Sequence, residues 1–172
     1  MTFRETVKQK LIVAANQYNK LVGVDFLVES KEFKNNISYL LRFHRDNFLH
    51  LTGVLTTLSA SAFFEKCLTG DISFNDFDCD SSEEIKGKAR EKLRHLQSIG
   101  SFFDRELIFQ EDYQKNTVKC KIASSDGNFT LGFKSLKNSI NIPLTLLNRN
   151  QIKEELAIKN IKIEKIIKNS LK

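Results

Sequence analysis

The sequence predicts an α+β fold: an antiparallel twisted sheet of four or five strands, with helices packed on one face and an open basic face opposite. Three observations predict it. Apolar residues recur at helical spacing in three stretches, each bounded by capping or glycine signals. Apolar and polar residues alternate with a period of two in several others. The polar positions of the alternating stretches carry Arg42, His44, Lys119, Lys121 and Lys134.

With 172 residues, 41% hydrophobic composition and 14 Phe, the chain is long enough to bury about 70% of its unfolded surface as one domain, 1–172. Neither a repeat nor a Pro/Gly/Ser-rich linker divides it. The net charge of +6 leans toward a polyanionic partner. Met1 to Lys10 mixes charges of both signs, unlike a signal peptide, and no apolar run reaches membrane-spanning length. Cys67, Cys79 and Cys120 are odd in number and widely spaced, which indicates neither a disulfide framework nor a zinc site. A cytoplasmic protein with reduced thiols, no cofactor and no membrane partner is expected.

A first helix is predicted over Phe3 to Val22. Thr2 and Glu5 make a capping box, and Phe3, Val7, Leu11, Ala14, Tyr18 and Leu21 repeat at helical spacing until Gly23. Val24 to Ser30 follows as a strand, and a short polar connection makes it a hairpin with the strand beginning at Ile37. From Ile37 to His44 the alternation puts Ile37, Tyr39, Leu41 and Phe43 on one side and Arg42 and His44 on the other. Arg45-Asp46-Asn47 has turn composition, after which Phe48 to Val54 carries His50 and Thr52 and ends near Gly53. A second helix is predicted over Leu58 to Leu68 with Gly70 as its stop, and a third over Glu83 to Ile99 with Gly100 as its stop.

Between them, Asp71 to Glu84 is strongly acidic. Asp76, Asp78 and Asp80 alternate like the first ligands of a calcium loop, but Ser81 stands where that loop needs glycine and Gly87 where it needs glutamate. No metal site is therefore assigned. Thr117 to Leu136 reads as a hairpin around Asp126-Gly127, and a two-residue turn there pairs Ile122 with Leu131, Cys120 with Phe133, Lys121 with Gly132 and Lys119 with Lys134. The opposed lysines repel each other, which either a bound phosphate chain or the splaying of two long side chains into solvent would relieve. At the C-terminal end, a short helix from about Asn148 and a strand at 160–167 are expected.

Two histidines six residues apart around a bend, with Arg42 and Arg45 beside them, are the equipment for moving protons at a phosphodiester while neutralising its charge. In a straight strand the two imidazoles would stand about 20 Å apart, so the reading requires the turn. The same residues also fit a structural arrangement in which His50, between Leu49 and Leu51, is buried and His44 is solvated at a strand end. His95, on the third helix, has no evident catalytic partner.

The block Asp46 to Val54, DNFLHLTGV, resembles the signature of a phage-associated nuclease domain in the Barnase, EndoU, colicin and RelE-like group. The Phe63-Phe64 helix, the NFTLGF strand at 128–133 and the IPLTLLN segment at 142–148 are similar to it in order. The resemblance implies a metal-independent ribonuclease, toxin-like or carried by a mobile element, whose partners are single-stranded or tRNA-like RNA and a neutralising protein. The expected catalytic set is His50, His44, Arg42, Arg45 and Thr52, with Lys119, Lys121, Lys134 and Tyr39 binding substrate. No carboxylate is placed as a base, a departure from ribonucleases that use glutamate. Two rivals compete with this reading. One is a non-enzymatic nucleic-acid or protein-binding module of the same fold. The other is a transferase with Tyr39 and Thr52 at a nucleotide, which lacks a glycine-rich phosphate loop.

Overall fold

The computed structural model describes residues 1–168. The chain forms two compact units, each built from separated stretches. Met1–Lys20 and His44–Gly100 make a helical unit; Leu21–Phe43 and the residues from Ser101 onward make a sheet unit.

In the helical unit, α1 (Phe3–Asn19) starts at the expected capping box: the Thr2 hydroxyl accepts the Glu5 N–H at 3.1 Å, and the Glu5 carboxylate accepts the Thr2 N–H at 2.8 Å. Val7, Leu11, Ala14, Ala15 and Tyr18 form its buried stripe. Beyond His44, Arg45–Asn47 closes a single 3-10 turn and α2 (Phe48–Thr52) follows, so the segment carrying His50 is helical. The helix α3 (Ala60–Thr69) is capped by the Ser59 hydroxyl and stopped by Gly70 at φ 86°, and α4 (Glu83–Leu96) is capped by Ser82. Tyr18, Phe48, Phe63 and Phe64 join these elements in an aromatic cluster with centroids 5.2 to 6.1 Å apart.

The acidic stretch is hydrogen-bonded to itself. Asp76 caps a 3-10 turn by accepting the Ser73 N–H at 2.8 Å, and Asp78 accepts the N–H groups of Asp80 and Ser81. Asp80 pairs with Arg4 at 3.1 Å. Among the described residues no three His, Cys, Asp or Glu side chains are grouped to hold a metal ion.

The sheet unit corrects the expected strand number. Seven strands pair in one sheet: β1 (Val24–Glu29), β2 (Ser38–Arg42), β3 (Ile108–Lys115), β4 (Val118–Ser125), β5 (Phe129–Ser135), β6 (Ile140–Asn148) and β7 (Lys162–Ile167), in the order β3-β4-β5-β6-β2-β1-β7. It is mixed, not antiparallel throughout, because β2 and β6 run parallel at Leu40–Ile140 and Leu41–Asn141. The side-chain amide of Asn141 reinforces that short join, donating to the Leu40 carbonyl at 3.2 Å. The single proline, Pro143, sits in β6 beside a register shift, where a missing N–H is tolerated. The β1–β2 hairpin is antiparallel as expected, and its alternation buries Phe26, Val28, Tyr39, Leu41 and Phe43.

The β4–β5 register is displaced by two from the expected one. Ile122 faces Phe133, Ala123 faces Gly132, and Ser124 faces Leu131. The turn is longer than two residues because the Asp126 carboxylate accepts the N–H groups of Asn128 and Phe129, and the Ser125 hydroxyl donates to the Phe129 carbonyl at 2.8 Å. With that register the Lys119–Lys134 opposition does not form; Lys119 faces Gln114 on the other side, in β3.

The ladder also skips Asp112, at φ 52°, and Lys121. Cys120, expected on the Ile122 side, packs instead in a cluster with Tyr113, Ala123 and Ile152, joined by Leu147 and Ala157. Its sulfur occupies the space a Cβ on Gly132 would need. The Ala123–Gly132 side of the sheet is therefore covered by the segment after β6 and is not an open basic face. Its cover is pinned where the Thr130 hydroxyl donates to the Arg149 carbonyl and accepts the Gln151 N–H. Beyond it, the C-terminal helix is a 3-10 turn, Glu154–Leu156, before β7.

Candidate functional site

The expected site residues divide between the two units. His44, Arg45, His50 and Thr52 belong to the helical unit; Tyr39, Arg42, Lys119, Lys121 and Lys134 belong to the sheet unit.

In the helical unit, His44 precedes the 3-10 turn in extended conformation. Its carbonyl accepts the Tyr18 hydroxyl at 2.6 Å and the Asn47 N–H at 3.1 Å, leaving its imidazole exposed. Arg45 pairs with Glu65 at 3.1 Å in solvent and lies over the Phe64 ring. Thr52 is fully buried; its hydroxyl donates to the Leu49 carbonyl at 2.7 Å and accepts the Val54 N–H, so it closes the helix end and offers nothing to a phosphate. His50 is exposed, contrary to the buried alternative.

A cleft of about 400 Å³ opens beside His50, lined also by Gly53, Leu55, Thr56, Lys88 and Lys92. Three features build it. First, α2 presents His50 one turn before its glycine stop. Second, Gly53, at φ 78°, lets the chain approach α4 so closely that a Cβ there would lie 2.9 Å from the Lys88 carbonyl carbon and oxygen. Third, Lys88 and Lys92 stand four apart on α4 and so share one helical face. Burial pulls the Lys92 amine below the ordinary lysine range, and the like charge of Lys88 adds to it. Lys88 keeps an ion pair with Glu84 at 3.0 Å. The arrangement sets one imidazole and two amines, one of them with its pKa lowered by burial, around a space open to a polyanion. His44 and Arg45 do not line it.

The lysines escape sequence reasoning because charges on a helix flank read as solvated. The signal that would have found them is Gly53, whose requirement for a close neighbour brings α4 to His50.

In the sheet unit, Arg42 is held by a carboxylate the sequence did not reveal. Its Nε and Nη2 donate to Asp25 Oδ1 and Oδ2 at 2.8 and 2.7 Å, and Lys168 approaches the same carboxylate at 3.5 Å. The Arg42 hydrogen bonds hold Asp25 below the usual carboxylate range despite its burial. Tyr39 is buried and its hydroxyl donates to Glu111. Burial works against the Glu111 charge, but bonds from Tyr39 and the backbone of Lys34, Asn35 and Asn36 keep it below its ordinary range. Lys119 and Lys134 are exposed and Lys121 is half-buried. Burial pushes the three free thiols up, Cys67 to about 12 and Cys79 and Cys120 to about 11, which marks them as inert packing groups.

A family model described as phage-Barnase-EndoU-ColicinE5/D-RelE like nuclease 4 matches residues 10–172, nearly the whole chain. The chain belongs to this family. Membership in this nuclease family carries a nuclease-like function and a nucleic-acid substrate, and the match includes both His50 on α2 and the lysines of α4. No curated protein and no solved structure matches the chain. No helix among the described residues is long and apolar enough to cross a membrane.

Proposed function

We propose that this member of the nuclease family is a metal-independent ribonuclease whose reaction is run by His50, Lys88 and Lys92. The observation that carries the reading is the exposed imidazole sharing one cleft with two amines, of which the partly buried Lys92 has its pKa lowered. His50 takes the proton from a ribose 2′-hydroxyl, the 2′-oxygen attacks phosphorus, and the bond to the 5′-oxygen breaks. The Lys92 ammonium gives its proton to that leaving oxygen, and Lys88 offsets the charge that builds on the phosphorane. The products are a 2′,3′-cyclic phosphate and a 5′-hydroxyl. Solvent exchange restores both protonation states.

The cations in the cleft supply the charge neutralisation that a divalent ion provides in other nucleases. Arg45 and His44, exposed on the approach to α2, and the exposed Lys119 and Lys134 of the sheet unit suit contacts with more distant parts of a single-stranded or tRNA-like RNA. A neutralising protein partner and a cytoplasmic setting belong to the same reading.

The test is cleavage of a labelled RNA by wild type, His50→Ala and Lys92→Met. Each variant should lose at least about a hundredfold in rate, the low end for one positioned acid or base. His50→Ala should keep the wild-type melting temperature, because His50 is exposed. Full activity in both variants would refute the assignment of these residues, whereas no cleavage by the wild type would favour a non-enzymatic nucleic-acid-binding module.

A further inference from the structure

A second cavity adjoins the His50 cleft within the helical unit. It measures about 230 Å³, is lined by Leu55, Thr56, Thr57, Asn75 and Phe77 among others, and shares Leu55 and Thr56 with the cleft. The second cavity alone falls below the roughly 300–1,000 Å³ typical of small-ligand sites, and it extends a cleft that already lies within that range.

The wall between them is held firmly. Leu55 and Asp78 exchange both backbone hydrogen bonds, at 3.0 and 2.8 Å, and the Thr56 hydroxyl donates to the Asp76 carbonyl at 2.5 Å while accepting the Leu58 N–H. Fixing both strands of this small bridge leaves the Leu55 side chain 54% exposed, an apolar surface presented beside a charged cleft. Phe77 is buried behind it, and the exposed Asn75 amide carries a donor and an acceptor.

We infer that this cavity is a nucleobase subsite, which takes the base of the nucleotide whose phosphate lies at His50, Lys88 and Lys92. The inference rests on the reading of the His50 cleft as a phosphate site. A nucleotide has an anionic end and a flat, largely apolar end with polar edges, separated by one sugar. The two cavities offer the matching pair of environments, cationic on one side of Leu55 and apolar with an amide on the other, at the separation of one shared wall. The carboxylates of Asp76 and Asp78 on the second cavity repel a phosphate, so the nucleotide enters in one direction. Leu55 supplies the platform on which the base face rests, and Asn75 reads its edge.

The experiment titrates the full chain with the four ribonucleoside 3′-monophosphates and with base-free ribose phosphate. The nucleotides should bind at least about tenfold more tightly than ribose phosphate, the ratio that one contact of ~1.4 kcal/mol gives. Leu55→Ser should bring the two within about threefold. Asn75→Ala should flatten the differences among the four bases. Both side chains are exposed, and an unchanged melting temperature checks that the variants are folded. Equal affinity for nucleotide and ribose phosphate overturns the subsite and leaves the phosphate cleft standing. No binding of any of these phosphates overturns both. Base-dependent binding without RNA cleavage supports the subsite while removing the ribonuclease reading.

Discussion

Replacing Gly53 by alanine tests whether the close approach of α2 to α4 shapes the cleft. Two costs add. The residue must keep φ near 78°, which costs a non-glycine residue about 1–2 kcal/mol. The new Cβ would also lie 2.9 Å from two atoms of the Lys88 carbonyl and 3.1 Å from the Ala89 nitrogen, all backbone, so α4 must retreat. Overpacking of that kind costs about 1–3 kcal/mol. Gly70→Ala is the internal control: φ is 86° there, but nothing lies within 4 Å of its Cβ, so only the first cost applies. Urea and thermal melts followed by circular dichroism should show Gly53→Ala less stable than Gly70→Ala by about 1–3 kcal/mol. At this chain length that corresponds to about 2–12 °C in melting temperature. RNA cleavage should fall in the first variant and not in the second, because only the first displaces Lys88 from His50. Equal destabilisation by the two would refute the claim that the contact with α4 has an energetic consequence.

Three further outcomes are expected. Asp25→Ala leaves the half-buried Arg42 guanidinium without its carboxylate and should cost about 1–3 kcal/mol in urea melts. Because Arg42 lowers the folded Asp25 pKa, that contribution is complete above the unfolded carboxylate value near 4 and disappears as pH falls through the folded one; a wild-type–variant gap that stays constant down to pH 2 would contradict this. RNA cleavage should survive EDTA, and activity lost on chelation and restored by added metal would rule out the proposed chemistry. Lys119→Gln and Lys134→Gln should have additive effects on stability, within about 0.5 kcal/mol, since the observed register does not oppose them; a larger coupling in a double-mutant cycle would contradict the register.

Local chemistry made much of this legible in the sequence. The Thr2–Glu5 box, the Gly53 and Gly70 stops and the β1–β2 alternation are written in neighbouring residues, and the structure contains each of them. The β4–β5 register was misread because Asp126-Gly127 alone suggests the shortest turn, whereas Arg105, 21 residues earlier, holds the Asp126 carboxylate at 2.7 Å. The two extra strands, β3 and β6, form hairpins with their neighbours β4 and β5, but the parallel join of β6 to β2 at Asn141 depends on a partner far along the chain. For the candidate site, the His50 block was visible as a resemblance, but Lys88 and Lys92 required knowing which helix Gly53 touches. Asp25 hid in an apolar strand, and its role became visible only when the hairpin register set it across from Arg42.

The interleaving of the two units bears on how the chain is made. All of the helical unit has been synthesised once Gly100 is added, but the sheet unit begins with a hairpin that must wait. The Asn141 side chain that fastens β2 to β6 stands 101 residues after Leu40, a delay of about 5–20 s at ordinary ribosomal rates. Through that interval the nascent hairpin has an unclaimed edge next to Tyr39, Leu41 and Phe43. A chaperone resident at the ribosome exit that covers this edge would therefore protect the chain until β6 arrives.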